Sequence, residues 1–228
     1  MASRSGSTLR DVASVAESRR VSPLERSWWL RAPAVLIAPR AVFASLRDES
    51  EEAVEIRQEA LTALIGLSSI AAVLCTPVAR SFNMSPSDTI ALLPVWAFVG
   101  GAFYALAVYW VGGGLLFGAA RRLGGLGSYR RARSLVALAS APLALALFTL
   151  WPLRIAIYGV DLFRTGGSDW GPGDRIFGGL FYAAFGWSAL LLLIGVRAVH
   201  GWSWARSTAT VALASALPVL VMLGSRLH

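Results

Sequence analysis

Five stretches of this chain contain no charged residue: residues 60–79, 89–120, 134–153, 176–196 and 207–225, with lengths of 20, 32, 20, 21 and 19. At about 1.5 Å of rise per residue, twenty helical residues reach about 30 Å, the thickness of a bilayer's hydrocarbon core. A run in lipid must satisfy its own backbone hydrogen bonds, and these runs lack the alternation of barrel strands, so helices are the expected solution. The expected fold class is therefore all-α: a polytopic membrane helical bundle with five transmembrane helices, at about 60–79, 92–118, 134–155, 176–197 and 207–226, preceded by a short amino-terminal interfacial helix. Composition agrees, because 56% of the residues are hydrophobic and 15% charged, against about 25% charged in an ordinary soluble domain.

What remains between the runs excludes most catalytic architectures. The connecting loops have 9, 13, 22 and 10 residues, too few for a folded catalytic domain. Cys75 is the single cysteine and lies inside the first run, so no disulfide forms within the chain. His200 and His228 are the only histidines, which leaves no ligand set for a metal cluster. There is no nucleophile and base pair, phosphate loop or set of catalytic carboxylates. The expectation is a non-enzymatic protein with no cofactor and no metal.

The chain has no lysine, so its direction in the membrane is read from 21 arginines. The 121–133 loop carries Arg121, Arg122, Arg130, Arg131 and Arg133 with no acid, whereas the 154–175 loop mixes three arginines with Asp161, Asp169 and Asp174. Positive residues in short loops stay cytoplasmic. This puts the amino-terminal segment and the 121–133 loop inside, the 154–175 loop and carboxy terminus outside, in what composition marks as a bacterial plasma membrane. The net charge of +8 then reflects topology and contact with anionic lipid of the cytoplasmic leaflet, not nucleic acid, for which no separate basic face exists. Arg121, Arg122, Arg130, Arg131 and Arg133 are the candidate lipid or partner contacts.

Residues 1–22 read as a disordered cytoplasmic tail without a signal peptide. Its Arg19-Arg20-Val21-Ser22 resembles a basic kinase site, and a solvated tail is the simpler reading. Residues 23–59 form an amphipathic or juxtamembrane segment. After Pro39, Val42, Phe43 and Leu46 share one helical side and Arg40 and Arg47 another, which suits either a helix in the inner interface, anchored by Trp28 and Trp29, or a segment packed on the bundle. The acids Asp48, Glu49, Glu51, Glu52, Glu55 and Glu59 suit the start of the first spanning helix, whose positive dipole end they complement.

The second run is too long for one simple crossing, and Gly112-Gly113-Gly114 is the expected place for a helix break or a tight packing contact. Gly179 with Ala183, and Ser68 with Ala72, have the small-xxx-small spacing of helix contacts. Arg154 and Asp161 lie two turns apart at the outer end of the third span, where an ion pair or, as the better reading, interfacial charges reaching water are expected, with Trp151 in the aromatic belt. Arg197 and His200 suit snorkelling at the inner end of the fourth.

The middle loop RRLGGLGSYRRARS (residues 121–134), the fourth-span exit WSALLLLIGVRAVHGWSWARS (187–207), the lead APRAVFASLRDE (38–49) and the prolines Pro142 and Pro218 in the following spans together resemble the Yip family, membrane proteins named for interaction with Ypt and Rab GTPases. The family-like motif residues are Gly124, Gly125, Trp187, Gly195, His200 and Gly201. The resemblance covers roughly residues 33–227 and implies a non-enzymatic five-span membrane domain over 60–227 with a cytoplasmic amino terminus, associated in eukaryotes with vesicle traffic and membrane shaping. The arginine-only, alanine-rich composition points to a prokaryotic-type member, which argues against a Rab-type GTPase partner. Two functions from different classes follow: a membrane-organising or adaptor protein that contacts anionic lipid, a membrane-protein partner or a second copy, and a small transporter or channel with a path near Gly112–Gly114.

Overall fold

The computed structural model describes residues 23–76, 86–125, 127–163 and 172–224, and among these every regular element is helical. The tail 1–22 with its Arg19–Ser22 motif, Arg80, Arg164 and Arg226, and Asp169 lie outside the described residues. Helix α1 (Pro23–Ala34) leads into α2 (Pro39–Ala44), which Pro39 starts and a 3-10 turn (Ser45–Arg47) extends. Val42, Phe43 and Leu46, the side picked out by helical spacing, are buried, so this segment packs on the bundle.

Helix α3 (Glu51–Leu74) starts nine residues before the first charge-free run, because Ser50 caps it, accepting from the Ala53 N–H at 3.3 Å, and Glu51 and Glu52 fill its first turn. The acidic run is thus the helix's exposed beginning. The buried positions of α3 include Arg57, Leu61, Leu64, Ser68 and Ala72, one stripe at intervals of three and four.

Helix α4 (Pro86–Leu106) runs through a π-helical segment (Ala107–Gly112) into α5 (Gly113–Arg122). The glycine run does not break the helix. Gly112 and Gly113 keep helical dihedrals (φ −60, ψ −43 and φ −60, ψ −39), and the irregularity is a widened turn that ends at Gly112. Helices α6 (Tyr129–Ala139) and α7 (Ala141–Tyr158) meet at Ser140, where Pro142 suits the first turn of a new helix and not the interior of an old one. A 3-10 turn (Gly159–Phe163), α8 (Pro172–His200) and α9 (Trp204–Gly224) follow. Among the described residues four helices are long and apolar enough to cross a membrane, over Glu51–Leu74, Ala91–Arg122, Tyr129–Tyr158 and Gly173–His200.

Helix α3 is central, packing on α4 and α7; α8 packs on α7, α6 and α2, and α9 on α5 and α8. Glycine sets two of these contacts. A Cβ on Gly101 would stand 3.1 Å from the Ile70 backbone Cα, so α3 meets α4 at backbone-close distance, and one on Gly195 would stand 2.9 Å from both the Phe43 and Leu135 side chains, which lie directly against the α8 backbone. The Ser68 and Ala72 pair is buried in α3. Gly179 and Ala183 are exposed, with nothing within 4 Å of a Cβ on Gly179, so that small-residue pair faces away from the bundle. Phe98, Phe103, Ile176 and Tyr182 also point outward, a placement that suits lipid.

The far end of the bundle corrects the interfacial reading of Trp151 and Arg154, which are only 2% and 4% exposed. Trp151 packs against Phe163 and Phe181 with ring centroids 6.1 and 5.3 Å away. Arg154 pairs with Asp174 at 2.5 Å. The 3-10 turn and α8 fold over these side chains and remove them from water, an arrangement that needs residues distant in sequence.

Candidate functional site

At the opposite end, the arginine loop and the α8 exit form one assembly. Helix α5 ends in a Schellman turn, in which the Gly125 N–H donates to the Ala120 carbonyl at 2.8 Å and the Gly124 N–H to the Arg121 carbonyl at 3.0 Å. Gly124 takes the left-handed conformation this needs, with φ of +78°. Gly125 fits for a different reason, since a Cβ there would lie 3.0 Å from Trp202. Arg206, at the start of α9, donates through Nε to the Leu123 carbonyl at 2.8 Å, and its guanidinium lies 4.3 Å from the Trp202 ring centre.

His200 ends α8 stacked on Trp202, with ring centroids 4.4 Å apart. Its Nδ1 lies 3.0 Å from the Val196 carbonyl; a carbonyl only accepts, so Nδ1 donates the proton. Its Nε2 stands 3.2 Å from where a Cβ on Gly127 would be. The structure thus joins Gly124 and Gly125 to the His200-Gly201 exit through Trp202 and Gly127. Trp187 lies elsewhere on α8, with 50% of its surface exposed.

The five loop arginines separate into two groups. Arg131 bonds Glu49 at 3.1 Å and donates to the Arg47 carbonyl at 3.1 Å. Glu49 also accepts from Ser128, whose Oγ caps α6 by accepting the Arg131 N–H at 3.1 Å. Arg133 lies against three rings, with its guanidinium 4.1 Å from the Trp110 ring centre, 4.8 Å from Tyr129 and 5.0 Å from Tyr109. Its Cα is 3.2 Å from where a Cβ on Gly113 would be, so the glycine run carries a packing contact. Tyr129 donates to the Trp110 carbonyl at 2.7 Å, inside the π-helical segment. Arg131 and Arg133 therefore hold the bundle together. Arg121, Arg122 and Arg130 are exposed.

Two features of this end escape a reading by charge-free runs. Arg57 is 1% exposed and donates to the Asp48 carbonyl at 2.8 Å, tying the lead segment to α3; its helical spacing from Leu61 and Leu64 is the signal for its burial. The second is a cavity of about 300 Å³ lined by Arg40, Arg47, Arg197, Trp202 and Trp204 together with small and aliphatic side chains. Arg47 donates to the Ala198 carbonyl at the end of α8, and Arg197 lies 4.4 Å from the Trp204 ring centre.

Asp48 accepts the Ser50 N–H at 3.0 Å, and bonding to the Ser50 backbone and side chain lowers its pKa below the ordinary 3.8. A depressed aspartate stabilises the folded form above the unfolded value and loses that contribution as pH falls through the folded one. Acidification from pH 7 to about 3 is expected to lower the hydrogen-exchange protection of Ser50 and Ala53, each taken against its intrinsic exchange rate at that pH, and Asp48→Asn to remove most of that pH dependence.

Among the described residues no group of three or more His, Cys, Asp or Glu is placed to hold a metal ion. An all-helical bundle with four membrane-length apolar helices and arginines gathered at one end is a polytopic integral membrane protein. The Yip1 domain model matches residues 34–225, and the chain belongs to that family. No curated protein and no solved structure matches it.

Proposed function

We propose that this Yip-family protein is a non-enzymatic membrane-organising or adaptor protein whose arginine-rich end lies on the cytoplasmic side of a bacterial plasma membrane and gathers anionic lipid. Helix α9 supplies a fifth crossing and carries the carboxy terminus outside. The α1–α2 segment lies at the inner interface while packing on the bundle. The observation that carries this reading is the exposure of Arg121, Arg122 and Arg130 in a loop without acids. Each such arginine near an anionic surface contributes about 1 kcal/mol. At Gly113 the Arg133 side chain and backbone fill the space beside the helix, which argues against a transport path there.

The test is lipid enrichment around the protein in nanodiscs of mixed phosphatidylglycerol and phosphatidylcholine. The R121Q/R122Q/R130Q variant is expected to lose most of the preference for phosphatidylglycerol, a several-fold effect, with its melting temperature unchanged. An undiminished preference contradicts the reading.

A further inference from the structure

We infer that the cavity between α2 and the end of α8 is a specific site for the phosphodiester headgroup of one anionic phospholipid, held by Arg40 and Arg197 and framed by Arg47, Trp202 and Trp204. This deepens the lipid-contact reading above and rests on it for the membrane setting. The walls come from three places: Arg40 and Arg47 from α2 and its 3-10 turn, Arg197 from the last turn of α8, and Trp202 and Trp204 from the turn before α9 and the first residue of α9.

Charge is the first argument. Three guanidinium groups and no carboxylate line this cavity, whereas Arg131 and Arg154 elsewhere each have an acid partner. Like charges converging on one recess repel, the more so near lipid where screening is weak, and an anion among them removes that cost. Guanidinium also matches phosphate geometrically, through paired N–H donors.

The end of a helix raises an objection, because its free carbonyls carry negative partial charge that disfavours an anion. Here those nearest the cavity are covered. Arg47 donates to the Ala198 carbonyl, and the Gly201 N–H donates to the Arg197 carbonyl at 2.9 Å. Arg47 is thereby fixed in place, which leaves Arg40 and Arg197 to face the ligand.

Lipid is favoured over soluble phosphate by the remaining walls and by position. Ala44, Ile194 and Ala198 give the cavity an apolar side that suits glycerol and the first methylenes of an acyl chain. Arg197 is three residues from the end of a membrane-length helix, and Trp204 opens the next. That is the level at which tryptophan and headgroups meet.

Full-length protein in detergent is titrated with phosphatidylglycerol, phosphatidylcholine or inorganic phosphate, and retained lipid is counted by native mass spectrometry. One phosphatidylglycerol is expected to be held about tenfold or more tightly than phosphatidylcholine, and R40Q and R197Q each to lose about tenfold, the scale of one charge-assisted contact. R121Q/R122Q/R130Q is expected to keep this single lipid, so loss of bulk enrichment and loss of the site are separate results. Should R197Q lower the melting temperature, R40Q decides alone, because Arg40 is exposed. Equal retention of the two lipids, or retention unchanged in R40Q, overturns the site. Displacement of phosphatidylglycerol by equimolar inorganic phosphate overturns the lipid assignment.

Discussion

Gly101→Leu is expected to force α3 and α4 apart and to lower the melting temperature of the detergent-solubilised protein by roughly 6–12 °C, the equivalent of about 3 kcal/mol in a chain of this size. The new Cβ alone would sit 2.5 Å from Ile70 Cγ1 and 3.1 and 3.2 Å from the Ile70 Cα and N. A side-chain end can rotate away, but backbone in the middle of a helix cannot. Gly179→Leu is the matched control, with open space around its Cβ, and its expected change is within about 0.5 kcal/mol. Equal melting temperatures for Gly101→Leu and the wild type would show that the two helices are not in close contact.

The second large effect is expected at Arg57. Arg57→Ala removes a fully buried side chain and its bond to the Asp48 carbonyl, leaving a cavity beneath the lead segment, at a cost of about 3–5 kcal/mol. Arg57→Met fills most of that volume without burying a charge, and its expected loss is only about 1 kcal/mol, the net worth of one hydrogen bond. Thermal melting of the two variants side by side measures the difference. If alanine and methionine cost the same, the side chain's packing is not what matters there.

Both residues show what the sequence does and does not disclose. Long apolar runs are governed by one local requirement, backbone hydrogen bonds satisfied in lipid, so the all-helical character and the membrane-length helices are legible from the absence of charge. That same criterion fails at Arg57, because a charge ends a run by definition even when helical phase puts it on the stripe of Leu61 and Leu64. Charge counting likewise treats all five loop arginines as candidate lipid or partner contacts, whereas Arg131 meets Glu49 and Arg133 the Tyr109, Trp110 and Tyr129 rings. The glycines split in a similar way. Gly113 meets a neighbouring helix and Gly179 does not, though both are candidate packing positions in the sequence.

The cavity was least legible, since its walls depend on tertiary contacts. Arg47 meets the Ala198 carbonyl across 151 residues of sequence, and nothing in either segment announces the other. The family-like residues fared differently. The glycine pair after α5 and the His200-Gly201 exit were visible as a pattern, and the structure supplies the reason: a Schellman turn, a ring stack and a close approach at one junction.

In the proposed orientation the arginine-rich end faces the cytoplasm. Impermeant thiol labelling tests it most directly, in a Cys75→Ser background carrying either Ser203→Cys or Arg175→Cys, in bacterial membrane vesicles of both orientations. Residue 203 is expected to label only in inside-out vesicles and residue 175 only in right-side-out ones. Labelling of residue 203 from the outer face would contradict this orientation.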